Sequence, residues 1–187
     1  MADDPRQTFE RLYRDNPDPW DFATSPYEIA KRAQTLAALP DMRFASVLEV
    51  GCGPGFLTLA LAAKADRLLA LDISQEAIGM ATARTASLPH VACRRAAIPA
   101  DWPEGAFDLI VLSEVLYFLP ADDIAQVSHL SAASLRPGGA CLLVNWTGEN
   151  DLPVPGDEAV ERFGNAAAWQ VAHADRRESY RIDLLRR

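Results

Sequence analysis

Residues 48–56, with the sequence LEVGCGPGF, decide the fold of this 187-residue chain. A short apolar strand over residues 47–50 leads into three glycines at alternate positions, Gly51, Gly53 and Gly55, and a helix follows. Glycine permits a tight turn and lets a ligand lie against bare backbone. In a doubly wound sheet, such a loop lies at the carboxyl end of its strand, where ligands bind. The stretch therefore predicts a strand–loop–helix unit with a ligand on its glycines.

The next strand, predicted over residues 68–71, ends at an acid, Asp72. A carboxylate at this position can accept hydrogen bonds from both hydroxyls of a ribose. Together with the glycine loop, it indicates a ligand of the adenosine type. The alternative is that the glycines only serve the turn and that Asp72 caps the helix that starts after Ser74.

Two features distinguish this loop from a dinucleotide site. Phe56 stands where the third glycine of the G-x-G-x-x-G pattern belongs, and the glycine comes one residue earlier. Glu49 precedes the loop, and its charge would repel a pyrophosphate but suits a cationic or amino-bearing ligand. A nicotinamide-dependent oxidoreductase is therefore the less favoured interpretation. A P-loop is also not indicated, because no Gly-Lys-Ser/Thr follows the glycines.

Short apolar strands alternate with helices along the rest of the chain, which predicts a doubly wound, mostly parallel seven-stranded α/β sheet. Further strands are expected at residues 90–93, 107–112 and 140–146, and two more follow Trp169, with 179–185 at an antiparallel edge. Helices are expected within 5–39, the second beginning at Ser25 and ending at Leu39, and at 55–63, 75–85 and 124–134. Residues 136–139 are predicted to form a turn, and residues 147–166 are predicted to be loop-rich.

We expect one domain, with an N-terminal helical cap (1–42), a cofactor-binding core (46–146) and C-terminal strands (147–187).

Composition excludes several classes of function. The formal net charge of −8 and a pI near 4.8 count against general binding of nucleic acid or anionic membranes. No apolar run approaches the ~20 residues of a membrane span, and the N-terminus resembles no signal or transit peptide, so we expect a cytoplasmic protein.

Three cysteines and three histidines are scattered without ligand spacing, which predicts neither a metal site nor a disulfide scaffold. Cys52 is interpreted as a small packing residue of the loop.

The pattern Glu49-x-Gly51-x-Gly53-x-Gly55 followed by Asp72 is similar to the first motifs of class I S-adenosylmethionine (SAM) methyltransferases, which have a Rossmann-like fold. FDLIV at 107–111 and LRPGG at 135–139 resemble later parts of the same superfamily. A narrower resemblance, to the nodulation protein S (NodS) family, spans nearly the whole chain. The segments that carry it are DPWDF at 18–22, SPYE at 25–28 with Lys31, WPEG at 102–105, SEVLYFL at 113–119 and YRIDLL at 180–185.

The NodS resemblance implies a small SAM-dependent N-methyltransferase that leaves S-adenosylhomocysteine (SAH). Its type members methylate the free amine of a deacetylated chito-oligosaccharide, so the implied acceptor is a small molecule with an amine, such as an amino sugar. The glycines would lie under the amino-acid part of SAM, Asp72 would hold the ribose and Arg32 would meet the carboxylate. The residues implied for the cofactor are Trp20, Arg32, Glu49, Gly51, Cys52, Gly53, Gly55, Asp72, Ile73, Ala97, Ile98, Ser113 and Glu114.

Glu114, after the fourth strand, is the candidate catalytic residue. An amine is protonated at neutral pH and must lose a proton before it attacks, and a carboxylate can attract the ammonium and relay that proton. The alternative is that Glu114 caps the short helix toward Leu119. Trp20 can offer an aromatic face to a cation or fix the cap to the sheet. At the level of the whole chain, the alternative is a SAM-binding module without catalysis.

Overall fold

The computed structural model describes residues 4–148 and 152–187. The helices are α1 (Pro5–Asp15), α2 (Pro26–Ala37), α3 (Phe56–Ala62), α4 (Gln75–Arg84), α5 (Ala121–Ser134) and α6 (Gly156–Ala166). The strands are β1 (Val47–Val50), β2 (Leu68–Asp72), β3 (Val91–Arg95), β4 (Phe107–Ser113), β5 (Leu135–Trp146), β6 (Gln170–Arg176) and β7 (Tyr180–Arg186). A 3-10 helix spans Leu116–Phe118. Across these described ranges, no helix is long and apolar enough to cross a membrane.

The strands form one seven-stranded sheet in the order β3-β2-β1-β4-β5-β7-β6. The pairs β1–β2, β2–β3 and β4–β5 are parallel, whereas β7 runs antiparallel to both β5 and β6. This mixed sheet with flanking helices confirms the predicted doubly wound, mostly parallel architecture. The parallel strands β1, β2 and β4 are almost wholly buried, as their continuous apolar sequences require.

The chain divides into two compact units, Met1–Ala97 and Ile98–Arg187. The first unit holds α1–α4 with β1–β3, and its fully buried side chains include Leu48, Leu61 and Leu71. The second holds the remaining elements, around Leu109, Leu142 and Phe163. The prediction of a single domain with three segments stays a prediction.

In the first unit, helix α2 begins with the cap that the sequence predicts. The Ser25 hydroxyl accepts a hydrogen bond from the Glu28 N–H at 3.4 Å, with Pro26 at the first helical position, as predicted. The helix ends at Ala37, two residues before the predicted end. The preceding proline-rich loop is held by Asp18, whose carboxylate accepts the N–H groups of Phe22 (2.7 Å) and Ala23 (3.1 Å).

In the second unit, the interpretation of residues 147–166 as loop-rich was wrong for residues 156–166, and residues 149–151 of that range lie outside the described residues. Residues 156–166 form α6, whose buried side chains Ala159, Val160 and Phe163 recur at helical spacing. The Phe163 ring stacks on Trp169 at 5.5 Å between centroids. The prolines and glycines around this segment obscured a short amphipathic pattern.

The predicted antiparallel edge was also wrong. Residues 179–185 fall largely in β7, which lies between β5 and β6 and is mostly buried. The edge strand is β6, whose side chains are nearly all exposed. The alternation of polar and apolar residues therefore marked a strand, but the position of that strand depends on the pairing partner beyond it.

Residues 136–139 lie within β5 rather than in a turn before it. Leu135 pairs with Phe107 and Ala140 pairs with Leu109. Residues 136–139 therefore form a bulge opposite the single residue Asp108. Gly138 has a φ of +80° in this bulge, and the Arg136 guanidinium binds Asp108 at 3.1 Å. The turn residues thus marked a real irregularity, but they did not end the strand.

Candidate functional site

The loop after β1 is built from glycines in the left-handed region. Gly51, Gly53 and Gly55 have φ values of +81°, +52° and +86°, which residues with a side chain rarely adopt. A Cβ on Gly55 would lie 2.9 Å from the Ala81 Cα, and one on Gly53 would lie 3.0 Å from the Tyr13 hydroxyl. The predicted tight turn is confirmed, and the glycines also allow α4 and α1 to approach the loop closely.

Asp72 closes this loop from the end of β2. Its Oδ2 accepts a hydrogen bond from the Gly53 N–H at 2.8 Å, and its Oδ1 accepts one from the Ser74 N–H at 2.9 Å. Burial raises the pKa of Asp72, although these backbone donors favour the ionised form. The cap of α4 is Ser74, whose hydroxyl accepts the Ala77 N–H at 3.2 Å. The alternative that Asp72 is the cap was therefore wrong.

Glu49 and Cys52 flank the start of the loop and are both buried. Among the described residues, neither oxygen of Glu49 has a hydrogen-bond partner, and the same is true of the Thr58 hydroxyl oxygen. Burial raises the pKa of Glu49 to about 8, and the nearby Thr58 offsets part of this rise. Burial also raises the pKa of Cys52, whose thiol lies 3.7 Å from the Gly53 carbonyl. A protonated, enclosed thiol fits the interpretation of Cys52 as a packing residue.

Helix α1 supplies a residue that was not predicted from the sequence. Glu10 Oε2 accepts hydrogen bonds from the Ser74 hydroxyl and the Gln75 N–H, both at 2.7 Å, at the start of α4. Partial burial opposes its charge, but these bonds and the charge of Arg95 keep the pKa of Glu10 below its usual range. An acid on a helix gives no local signal of its partner, so the sequence could not reveal this contact.

Trp20 lies in an aromatic cluster of the first unit. Its ring centroid is 5.8 Å from that of Tyr13 and 5.6 Å from that of Phe22, and the side chain remains 42% exposed. These contacts support the interpretation that Trp20 helps to fix the cap. Its exposed surface leaves the predicted contact with a ligand open, so that role stays a prediction.

Two guanidinium groups lie over Phe56 at the start of α3. The Arg84 guanidinium is 3.6 Å from the ring centroid and its Nε donates to the Pro54 carbonyl at 2.8 Å. Arg32 lies 5.5 Å from the same ring and donates to the Phe22 carbonyl at 3.2 Å. Arg32 is thus positioned by its own unit, and its contact with a ligand carboxylate stays a prediction.

The residues predicted for an adenine ring follow β2 and β3. The Ile73 carbonyl accepts a hydrogen bond from Arg95 Nε at 3.2 Å, and the Ala96 N–H donates to the Asp72 carbonyl at 2.9 Å. Ala97 is the last residue of the first unit and Ile98 begins the second. Ile73, Ala97 and Ile98 are all partly exposed, which leaves apolar surface for a ligand.

In the second unit, Glu114 follows β4 with a φ of +57°. Its N–H donates to the Val144 carbonyl at 2.8 Å, and its Oε2 accepts bonds from the Tyr117 hydroxyl (2.6 Å) and the Trp146 N–H (2.7 Å). A non-glycine residue in this conformation costs about 1–3 kcal/mol and persists where the surroundings hold it. The residue that caps the short helix is Val115, and among the described residues that helix has no side-chain cap, so the alternative of Glu114 as a helix cap is not supported.

Three further residues of this region, Ser113, Tyr117 and Trp146, differ in how the structure places them. Ser113 is the last residue of β4, pairs with Val144 and is partly exposed. Tyr117 is buried, yet its hydroxyl donates to Glu114, so it is both a core residue and part of the site. Trp146 acts through its backbone, for which the sequence carries no signal. Over the described residues, no group of three His, Cys, Asp or Glu side chains could hold a metal ion.

A family model and several curated relatives indicate the same family. The model of the family described as Nodulation protein S (NodS) matches residues 2–135. Nodulation protein S of Bradyrhizobium diazoefficiens is 33% identical over 161 residues, covering 84% of this chain and 72% of the relative. Nodulation protein S of Rhizobium tropici is 36% identical over 126 residues, covering 65% of this chain, which spans only 52% of that relative.

A solved structure extends the comparison to the fold. The N-methyltransferase NodS from Bradyrhizobium japonicum WM9, in complex with SAH, superposes with a TM-score of 0.85 at 24% identity. The match covers 96% of each chain. At this identity it shows that this chain has the class I methyltransferase fold.

Proposed function

The chain belongs to the nodulation protein S (NodS) family of small SAM-dependent methyltransferases, and from this premise we propose that it methylates an amine nitrogen. The acceptor is a small molecule, and the proposed class is an amino sugar or a chito-oligosaccharide with a free amine. The likeness to the NodS of Bradyrhizobium japonicum WM9, an N-methyltransferase solved with SAH, supports this assignment. We propose the cytoplasm as the compartment.

The loop closed by Asp72 is the observation that carries the proposal. Three glycines in the left-handed conformation form the turn after β1, and the Asp72 carboxylate fixes that turn through the Gly53 N–H at 2.8 Å. A carboxylate at the end of the second strand suits the two hydroxyls of a ribose. Glu49, buried without a partner in the described part of the chain, suits a ligand that brings positive charge. The residues present therefore fit SAM.

The cofactor supplies a methyl group already activated by its sulfonium, so the protein needs to bind, orient and shield. In our proposal, Gly51, Cys52, Gly53 and Gly55 carry the amino-acid part, Asp72 the ribose, and Ile73, Ala97 and Ile98 the adenine. The other residues proposed to contact SAM are Trp20, Arg32, Glu49, Ser113 and Glu114.

Glu114 is the proposed catalytic residue. Its Oε2 is fixed by the Tyr117 hydroxyl and the Trp146 N–H, and its negative charge attracts a protonated amine. The amine nitrogen attacks only after it loses a proton, which Glu114 accepts or passes to water. The strained backbone at Glu114 supports this role, because strain is retained where function requires a side chain in one place.

Two alternatives make different predictions. A SAM-binding module without catalysis would bind SAM but transfer no methyl group to any acceptor. A nicotinamide-dependent oxidoreductase would prefer NAD, but Phe56 and the Arg84 guanidinium, 3.6 Å apart, occupy the start of α3 where a dinucleotide site needs glycine. The second alternative is therefore disfavoured.

The experiment is transfer of labelled methyl from SAM to a panel of acceptors. The panel contains glucosamine, a chito-oligosaccharide deacetylated at one residue, and N-acetylglucosamine as the control with a blocked amine. We expect label on the free amines and none on the blocked sugar. Label on the blocked sugar, or on an oxygen of any sugar in the panel, would refute the N-specific assignment. SAM binding without transfer would favour the non-catalytic module.

A further inference from the structure

Glu49 is a fully enclosed acid. It is 0% exposed in β1, and in the described ranges neither of its oxygens has a hydrogen-bond partner. The Thr58 hydroxyl on α3, also 0% exposed, is near enough to favour the ionised form of Glu49 in part, but it forms no hydrogen bond with it. A buried polar group that lacks partners costs free energy and calls for an explanation.

The ionisable groups that act on Glu49 are themselves acids. They are Asp72 on β2 and Cys52 in the glycine loop. The charge of Asp72 disfavours a second charge on Glu49, and the Cys52 thiol is kept neutral by burial. A carboxyl in such surroundings takes up a proton instead of staying charged.

We propose that Glu49 holds a proton in the ligand-free protein at neutral pH and releases it to solvent when SAM binds. Cofactor binding is then coupled to proton release. This inference rests on the proposed function, because it requires SAM on the loop that Glu49 directly precedes.

The charges of the two forms of the cofactor make the coupling selective. SAM carries a sulfonium and an ammonium against one carboxylate, so its net charge is positive, whereas SAH has lost the sulfonium charge. A positive charge near a buried carboxyl favours the ionised form. Glu49 therefore ionises more fully beside SAM than beside SAH, and it regains part of the proton once the methyl group has left. Raising the pH should strengthen SAM binding more than SAH binding.

The pKa of Glu49 is raised to about 8, and burial is the dominant cause. The Thr58 hydroxyl lowers this pKa in part, and the charge of Asp72 raises it further. At pH 7 such a group is mostly protonated, so SAM has a proton to displace. The lack of hydrogen-bond partners and the raised pKa thus both favour a protonated Glu49 in the ligand-free protein.

Calorimetry on the wild-type protein tests the coupling. SAM and SAH are titrated at pH 7 in three buffers that differ in ionisation enthalpy, and the slope of the binding enthalpy against that quantity gives the protons released. We expect roughly 0.5–1 proton per SAM and clearly fewer per SAH. Glu49→Gln should abolish the difference between SAM and SAH, whereas Glu161→Gln, the same change at an exposed position on α6, should preserve it. Binding of SAM with no proton release would overturn the inference, and absence of binding by both ligands would instead refute the proposed function.

Unfolding of the ligand-free protein tests the protonation itself. The pKa of Glu49 is raised in the folded protein to about 8, above its unfolded value of about 4.3. Its contribution to stability is therefore complete below about pH 4.3 and is lost as the pH rises toward 8 and beyond. The unfolding midpoint of Glu49→Gln should rise relative to wild type between about pH 5 and pH 9, while Glu161→Gln should run parallel to wild type. Parallel curves for Glu49→Gln would overturn the inference whether or not SAM binds.

Discussion

Two strands of this protein are each followed by a residue with a positive φ, one a glycine and the other a glutamate. Gly51 follows β1 with a φ of +81°, and Glu114 follows β4 with a φ of +57°. Glycine adopts this conformation at no steric cost, whereas for glutamate it costs about 1–3 kcal/mol. The first turn is thus explained by backbone geometry, whereas at the second the strain accompanies a carboxylate that the Tyr117 hydroxyl and the Trp146 N–H hold in place. The comparison separates a turn that needs only glycine from one whose side chain is fixed, and the latter is the site of our catalytic proposal.

The largest expected effect is at the acid that closes the glycine turn. Asp72→Ala removes the bond to the Gly53 N–H and the proposed acceptor of the ribose hydroxyls. Hydrogen bonds to charged groups contribute about 1.5–3 kcal/mol each, so SAM affinity should fall by about 10³-fold. Calorimetry measures this loss, with Asp66→Ala as a control at an exposed acid outside the loop. Unchanged SAM affinity would contradict our assignment of the loop.

A substitution within the glycine turn should affect folding. Gly55→Ala places a Cβ 2.9 Å from the Ala81 Cα at a φ of +86°. Strain and overlap together should lower the free energy of unfolding by about 2–4 kcal/mol.

Gly79→Ala is the matched control, because a Cβ there meets nothing within 4 Å and the residue lies inside α4. It should raise the free energy of unfolding by about 0.5–1 kcal/mol. Urea denaturation compares the two variants. If both were equally stable, the conformational requirement of the turn would be disproved.

Substitution of Glu114, at the strained turn after β4, should lower the catalytic rate. Glu114→Gln keeps the shape of the side chain but removes its charge, so kcat for an amine acceptor should fall by about 10²-fold. The SAM affinity should fall far less than kcat, because Glu114 is one of several residues proposed to contact SAM but is the acid proposed to take the proton of the acceptor. Glu104→Gln, at an exposed position of the same unit, is the control. Full activity of Glu114→Gln would remove Glu114 from the mechanism.

The smallest effect concerns the hydroxyl that fixes the carboxylate. Tyr117→Phe removes the 2.6 Å bond to Glu114 Oε2 and leaves the bond from the Trp146 N–H. We expect kcat to fall by about tenfold with little change in SAM affinity. Steady-state kinetics separates this result from a packing defect, which would lower the unfolding midpoint while leaving kcat intact.

The same contrast explains how far the sequence could predict the molecule. Strands and glycines are local patterns, so residues 48–56 and Asp72 predicted the sheet and the tight turn after β1. Glu114 was chosen from its place after a strand, and the structure adds the strain and the two donors that hold its carboxylate. The contacts of Glu10 and of the Trp146 N–H depend on residues distant in sequence, which no local pattern encodes. The position of β7 inside the sheet was missed for the same reason, since the pairing of β6 beyond it is a tertiary property.

Binding of SAM to the wild-type protein tests the central claim most directly. Calorimetry with SAM, SAH and NAD on one preparation compares the ligands that the glycine loop could accept. We predict dissociation constants on the order of micromolar for SAM and SAH and no measurable heat with NAD. Binding of NAD in preference to SAM, or no binding of SAM, would contradict the assignment of the loop.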